Sequence, residues 1–337
     1  LDQREQQLQS WLAQRFAHAV KLTPIVGDAS FRRYFRFQHN GQSLIAMDSP
    51  PQLEDCRPFI DIAHALRAID LNTPQIIHAD PEQGFLVITD FGDDLYHQIL
   101  DKDNADPLYQ RAAEDLHKIQ TCQQLAGVDL ACFDATFMRK ELDLFTTWFV
   151  DKYLQIPLDT ETTALLNNTY QYLIDSAVDQ PQVIIHRDYH SRNLMHLPND
   201  VLGIIDFQDA MIGPITYDLV SMIRDCYLDW PVKQVEAWAF DFYQRCVADA
   251  RFNDVSWETF LQWLDLMGMQ RHLKASFIFA RKYLRDDNPF YLQFLPRTLN
   301  YIRYVSSKYS MLEDFNRFFN TTVLARFEKT FAIGAPL

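Results

Sequence analysis

Residues 182–208, QVIIHRDYHSRNLMHLPNDVLGIIDFQ, hold the side chains whose types and spacing carry chemistry. Asp188 and Asn193 stand five residues apart after the apolar run Val183–Ile185. Eighteen residues after Asp188, Asp206 closes a second apolar run, LGIIDF. A single aspartate after a strand is usually a turn former. The whole pattern, apolar strand, His-x-Asp-x4-Asn, apolar strand and Ile-Asp-Phe, matches what phosphoryl transfer from ATP asks of a protein. That reaction needs a carboxylate to position the attacking hydroxyl and accept its proton. It also needs oxygen ligands for the Mg2+ that screens the phosphates. Asp188 fits the first role, and Asn193 and Asp206 the second.

Two further groups of side chains belong to this reading. His186 and His190 are four apart, but they sit in a loop, without a helical HExxH context. That argues against zinc. His186 reads as a loop brace, and His190, two residues past Asp188, as a candidate to reach substrate or phosphate. The helix pattern Met269–Arg285 places Arg271, Lys274, Arg281 and Arg285 within a sector of roughly 80° at about 100° per residue. Leu273, Phe277, Ala280 and Leu284 lie opposite. The stripe reads either as a solvated face over a packed one or as a face that meets an anionic substrate, with Arg271 and Lys274 as the contacts.

Positioning such a site requires a sizeable core, and 337 residues, 48% apolar and 14% aromatic, supply it. The 31 basic and 45 acidic residues give a formal net charge of −14, which argues against a nucleic-acid partner. The five cysteines show no CxxC or zinc-type spacing and read as free thiols in a reducing compartment. No apolar run approaches the ~18 residues of a membrane span. The first segment, LDQREQQLQSWLAQRF, reads as a polar amphipathic helix rather than a signal sequence. A cytoplasmic enzyme with no membrane association and no evident obligate protein partner is expected.

Along the chain the order is a helix, three short strands (KLTPIV, FRRYFRFQ, SLIAMDS), a helix over Glu54–Ile69, and two strands (PQIIHA, FLVITD). From about Leu95 the pattern is mostly helical, interrupted by the strand–loop–strand island of the site. The expectation is an α+β fold of two lobes: residues 1–91 as a β-rich nucleotide-binding lobe, and 92–337 as a mostly helical lobe with the catalytic loop, the magnesium ligands and the substrate pocket.

The HxDxxxxN…IDF set, without the rest of a protein-kinase signature, resembles the aminoglycoside phosphotransferase superfamily of kinase-like fold. No APE follows, and GPITYDLVSMI comes within a dozen residues of Asp206. Three longer blocks narrow the resemblance: GDASFRRYFRF at Gly27–Phe37, FQDAMIGPITYDLVSMIRDCYLDWP at Phe207–Pro231, and Met269–Ile302. They look like the bacterial anomeric kinases for N-acetylmuramate and N-acetylglucosamine of peptidoglycan recycling. The resemblance implies ATP and Mg2+ as cofactors, an amino-sugar substrate, and a structural role for Asp218 behind the catalytic loop. It also implies that the literal DFG at Asp90–Gly92 is no metal site. It lies at the lobe join, where the Thr89, Asp90 and Phe91 backbone would receive adenine.

One part of the kinase pattern is missing. The third strand, SLIAMDS, carries no lysine to touch the phosphates and pair with a helix glutamate, and Glu54 is left in need of a partner. Ser30 and one of Arg32 and Arg33, after the tight turn GDAS, are the expected phosphate contacts. Backbone N–H groups of such turns face anions, and arginine grips phosphate with two parallel bonds. Strand alternation sends the two arginines to opposite faces. Another hydroxyl acceptor, such as an aminoglycoside or choline, and a nucleotide-binding scaffold without turnover remain the competing readings.

Overall fold

The computed structural model describes residues 2–334 except 26–30, 250 and 253, with side chains to Phe331. Helix α1 (Gln3–Phe16) leads into strands β1 (Thr23–Ile25), β2 (Arg33–His39) and β3 (Gln42–Asp48). Next come α2 (Arg57–Arg67), β4 (Ile76–Asp80), β5 (Phe85–Thr89), α3 (Tyr96–Ile99), α4 (Ala105–Thr121) and α5 (Ala135–Leu144). A π-helical stretch, Phe145–Tyr153, precedes α6 (Thr160–Val178). The island of the site carries three short strands rather than two, β6 (Gln182–Ile185), β7 (Leu194–Leu197) and β8 (Val201–Ile204), and β9 (Met211–Pro214) follows just after it. The chain finishes with α7 (Thr216–Ile223), α8 (Val232–Ala248), α9 (Trp257–Asp286), α10 (Leu295–Ser306) and α11 (Glu313–Phe318). After a π-helical segment, Phe319–Leu324, comes α12 (Ala325–Gly334).

The chain divides into two compact units that are interleaved in sequence, whereas the sequence reading draws a single boundary at 91/92. Residues 1–100, 122–129 and 192–210 form the sheet unit, and 101–121, 130–191 and 211–337 the helical unit.

In the sheet unit five antiparallel strands lie in the order β1-β2-β3-β5-β4. Alternation puts Phe35 and Phe37 of β2, Leu44 and Ala46 of β3, and Phe85 and Val87 of β5 on one face. That face is covered by Leu8, Trp11 and Leu12 of α1, which recur at helical spacing. Each large side chain buried there is worth about 1.5–3 kcal/mol. The β7–β8 hairpin belongs to this unit. It is tied in by Ile204 N–H to the Asn72 carbonyl (2.9 Å) and His196 N–H to the Asp94 carbonyl (2.8 Å). Gly203 is required there, because a Cβ would stand 2.8 Å from the Phe91 ring.

In the helical unit the 30-residue α9 is the central element, with Phe260, Leu264, Met267, Leu273 and Phe277 buried along it. Gly268 lets α9 approach α7 closely, since a Cβ there would meet Val220 at 2.9 Å. Strand β6 pairs with β9, not with β7. Among the described residues no helix is long and apolar enough to cross a membrane.

Candidate active site

The loop after β6 is built to hold one carboxylate. Asp218, at the start of α7 and fully buried, accepts N–H groups from His186 (2.6 Å) and Arg187 (3.0 Å). Burial pushes the Asp218 carboxyl up, and the His186 side chain and the two hydrogen bonds partly offset this. Arg187 sits at φ 76°, a left-handed conformation that a non-glycine residue adopts at a cost of about 1–3 kcal/mol. It turns the chain so that Asp188 follows with its N–H on His186 Nδ1 (3.3 Å). Past Asp188, Tyr189 donates its hydroxyl to the Ala112 carbonyl (2.8 Å), and Asp225 accepts from both the N–H and the hydroxyl of Ser191. The backbone before and after Asp188 is therefore anchored to buried groups.

Asp188 itself lines a cavity of ≈ 90 Å³ with His190, Tyr227, Arg271, Lys274 and Ala275. Burial alone would raise its pKa, but Lys274, His190, Arg271 and Arg187 together hold the carboxyl well below the usual carboxylate range. It is an ionised acceptor throughout the neutral range. The two basic residues expected as substrate contacts, Arg271 and Lys274, point inward to the same loop. Arg271 donates to the Arg187 carbonyl (2.8 Å) and lies over the Tyr217 ring. Lys274 donates to the Tyr217 hydroxyl (3.2 Å) and stands 3.4 Å from Glu141, which also meets Arg187 at 3.3 Å. Arg285, at the far end of the stripe, pairs instead with Asp286 on the surface. Glu141, Tyr217 and Asp225 are components of this site that the sequence did not mark. Their partners lie 34 to 133 positions away along the chain, so no spacing rule reaches them.

Asn193 and Asp206 stand together in the sheet unit, where Ile205 N–H donates to the Asn193 carbonyl (3.1 Å) across the β7–β8 hairpin. The Asn193 amide nitrogen lies 3.3 Å from Asp206 Oδ2, and Gln208 donates to Oδ1 (2.8 Å). Asp206 is exposed and, at φ 64°, left-handed. Phe207 behind it is fully buried and stacks on Phe59 of α2 (4.9 Å, 28°). One carboxylate and one amide oxygen make a sparse, hard donor set. It fits Mg2+, which keeps waters and substrate phosphates for its remaining positions. Among the described residues no group of three His, Cys, Asp or Glu gathers to cage a softer metal.

The two arginines separate as alternation requires. Arg32, buried and immediately before β2, pairs with Glu54 at 2.6 Å. The glutamate without a strand lysine thus has an arginine from the neighbouring strand. Tyr34, two positions on and on the same face, is pushed up to about 12, mainly by burial and partly offset by Arg32. Arg33 faces the α1 side, joining Asp2, the N-cap of α1, and the fully buried Asp48, which also accepts from Arg4. Ser30 and the GDAS turn lie outside the described residues. β5 ends at Thr89, paired with Leu44, so the Asp90 and Phe91 backbone lies beyond the sheet ladder. The Asp90 carboxylate accepts from Arg36 (2.7 Å), Ser43 (2.6 Å) and Gly92 N–H (3.0 Å).

With this geometry in place, similarity to known proteins can be placed on it. Residues 21–249 match the model of the phosphotransferase enzyme family. An N-acetylmuramate/N-acetylglucosamine kinase of Pseudomonas putida is 41% identical over 316 residues, covering 90% of this chain and 92% of its own. A protein of the same name from Pseudomonas aeruginosa is 40% identical, with 89% and 91% covered. Among solved structures, an ADP-bound aminoglycoside phosphotransferase superposes with a TM-score of 0.61 at 14% identity, covering 89% of this chain and 98% of that one. A choline kinase from Streptococcus pneumoniae does so with 0.61 at 12% identity, covering 90% and 100%. At such identities these two speak for the kinase-like fold alone. By its sequence and its fold, the chain belongs to the phosphotransferase enzyme family.

Proposed function

We propose that the protein transfers the γ-phosphoryl group of ATP to the anomeric hydroxyl of N-acetylmuramate or N-acetylglucosamine, giving the sugar 1-phosphate. The observation that carries the chemistry is Asp188: an ionised carboxylate in a cavity, on a loop anchored before and after it. The choice of acceptor is supported by the names of relatives that are 40–41% identical along nearly the whole chain.

In this reading Asp188 accepts the hydrogen bond of the acceptor hydroxyl and orients its oxygen in line with the γ-phosphorus. The new O–P bond forms as the bond to the bridging oxygen breaks, ADP departs, and the hydroxyl proton passes to Asp188. A carboxylate held so far toward its ionised form is a weak base, which suits an anomeric hydroxyl, more acidic than an ordinary alcohol. The cations around it keep it from protonating before substrate arrives, and Arg271, through the Arg187 carbonyl, fixes the loop. His190, which lines the same cavity, meets the acceptor in this reading.

Asn193 and Asp206 would hold Mg2+, which when bound screens the phosphate charge. Arg32, oriented by Glu54, takes the part of the missing lysine at the phosphates. The Thr89–Phe91 backbone, past the end of the ladder, receives the adenine edge.

The test is ADP release with Mg-ATP against N-acetylmuramate, N-acetylglucosamine, kanamycin and choline, with Asp188→Asn as the blank. Turnover on the amino sugars to an acid-labile phosphate is the expected result. Turnover only on a cationic acceptor would overturn the substrate, and silence on all four would overturn the enzyme reading.

A further inference from the structure

A second cavity is larger than the one that holds Asp188. It measures ≈ 530 Å³ and lies wholly within the helical unit, between the end of α7, the start of α8, α10 and the α11–π segment. That is within the span of about 300–1,000 Å³ typical of small-molecule sites, and the proposed reaction does not use it.

Its walls select a chemistry. Trp230, Tyr301 and Tyr304 supply ring surface. The Trp230 indole N–H is already spent on the Tyr109 hydroxyl (3.0 Å), so what that ring offers is hydrocarbon. The Tyr301 hydroxyl is buried and makes no hydrogen bond among the described residues. Asn300, Asn316 and Asn320 add amides that both donate and accept. The charges balance. Arg303 donates to Asn300 Oδ1 (2.7 Å) and, among the described residues, pairs with no carboxylate, while Asp229 lines the same wall. The remaining cation, Arg224, is ion-paired with the buried Asp265 (2.6 Å). A polyanion would face Asp229 and a polycation would face Arg303. Ring faces for C–H surfaces, with amides and hydroxyls between them, match an uncharged N-acylated saccharide.

The cavity also shares a wall with the catalytic one. Arg224 lines both, and its carbonyl meets His272 Nε2 at 3.0 Å. His272, a wall residue of the Asp188 cavity, stacks flat on Tyr301 of the larger one (4.5 Å, 8°). We propose that the larger cavity is a second binding site, for an N-acylated saccharide, coupled to the catalytic cavity through Arg224, His272 and Tyr301. The use of N-acetylglucosamine as the probe rests on the proposed function.

Calorimetric titration of N-acetylglucosamine into Asp188→Asn protein without nucleotide should give two binding events per chain. Asn300→Trp, which fills the larger cavity from its rim, should leave one. Tyr301→Phe, which removes only an unpaired hydroxyl and so tests the site without threatening the fold, should weaken one event by up to about tenfold. A single event, in a protein whose unmutated form phosphorylates the sugar, overturns the second site and leaves the kinase reading standing. Two events that are insensitive to both substitutions overturn the location. No binding and no turnover would overturn both readings together.

Discussion

Two aspartates of the sheet unit precede a phenylalanine, Asp90–Phe91 and Asp206–Phe207, and only the first is followed by glycine. By its letters Asp90 is the better match to a magnesium-binding DFG. Its environment says otherwise. Its side chain is 4% exposed and has its oxygens taken by Arg36, Ser43 and the Gly92 N–H. Asp206 is exposed, strained into a left-handed conformation, and among the described residues shares its oxygens only with the amides of Asn193 and Gln208. A carboxylate whose lone pairs are already used by a guanidinium stabilises structure. One left short of partners at a strained position is available to a cation. The difference lies in the surroundings rather than in the motif.

The strongest way to break that comparison is to exchange the fates of the two residues. Asp206→Asn should lower kcat by about a thousandfold, the worth of several kcal/mol of charge stabilisation, with an almost unchanged melting temperature. Asp90→Asn should do the reverse, keeping kcat within a few-fold while losing about 1.5–3 kcal/mol of stability, because Arg36 loses a buried charged acceptor. Steady-state kinetics and denaturant melts on the two proteins decide. If Asp90→Asn is the inactive one, the assignment is wrong.

Arg32 and Arg33 repeat the contrast on opposite faces of one strand. Arg32→Ala should raise KM for ATP by about ten- to a hundredfold, the range of one charge-assisted contact. Arg33→Ala should leave KM alone and cost about 1–2 kcal/mol, chiefly through Asp48, since the partly exposed pair with Asp2 is worth little. Equal effects on KM would mean that the pairing with Glu54 does not mark the phosphate side.

Asp188, the proposed base, lies in the field of Lys274, His190, Arg271 and Arg187. Lys274→Met removes the cation that lowers its pKa most. Carbon-13 NMR of the carboxyl should find it titrating below the ordinary aspartate value in the parent protein and shifted upward in the variant. A carboxyl that titrates normally in the parent would remove the argument for Asp188 as a permanently ionised acceptor.

Much of this was legible from sequence because it rests on short spacing. The order of elements, the α1 face and the split between Arg32 and Arg33 follow from periods of 2 and 3.6, and the candidate catalytic loop was marked by the spacing of Asp188, Asn193 and Asp206. Arg32 and Arg33 were readable as two candidates for the phosphates, but the pairing of Arg32 with Glu54 was not, since no spacing says which face α2 covers. The interleaving of the units was not readable, because the β7–β8 hairpin joins the sheet unit through Asn72, Asp94 and Phe91, over a hundred residues upstream. The basic stripe of α9 looked the same whether solvated or turned inward. The inward orientation of Arg271 and Lys274 depends on Tyr217, Glu141 and the Arg187 carbonyl, which only folding brings together.

The smallest expected effect concerns Asp90 and is read by pH. Burial raises the Asp90 carboxyl, but Arg36, Ser43 and the Gly92 N–H outweigh it and leave the group below its ordinary value of 3.8. A carboxyl whose folded-state pKa is depressed contributes stability that is fully present above its unfolded value. That contribution is lost as pH falls through the folded one. The parent protein should therefore lose stability from about pH 4 downward by an increment that Asp90→Asn lacks, so the two unfolding curves converge as pH falls toward 3. A constant gap between the parent and Asp90→Asn across pH 3–6 would place the stabilisation in packing around the side chain, rather than in its charge.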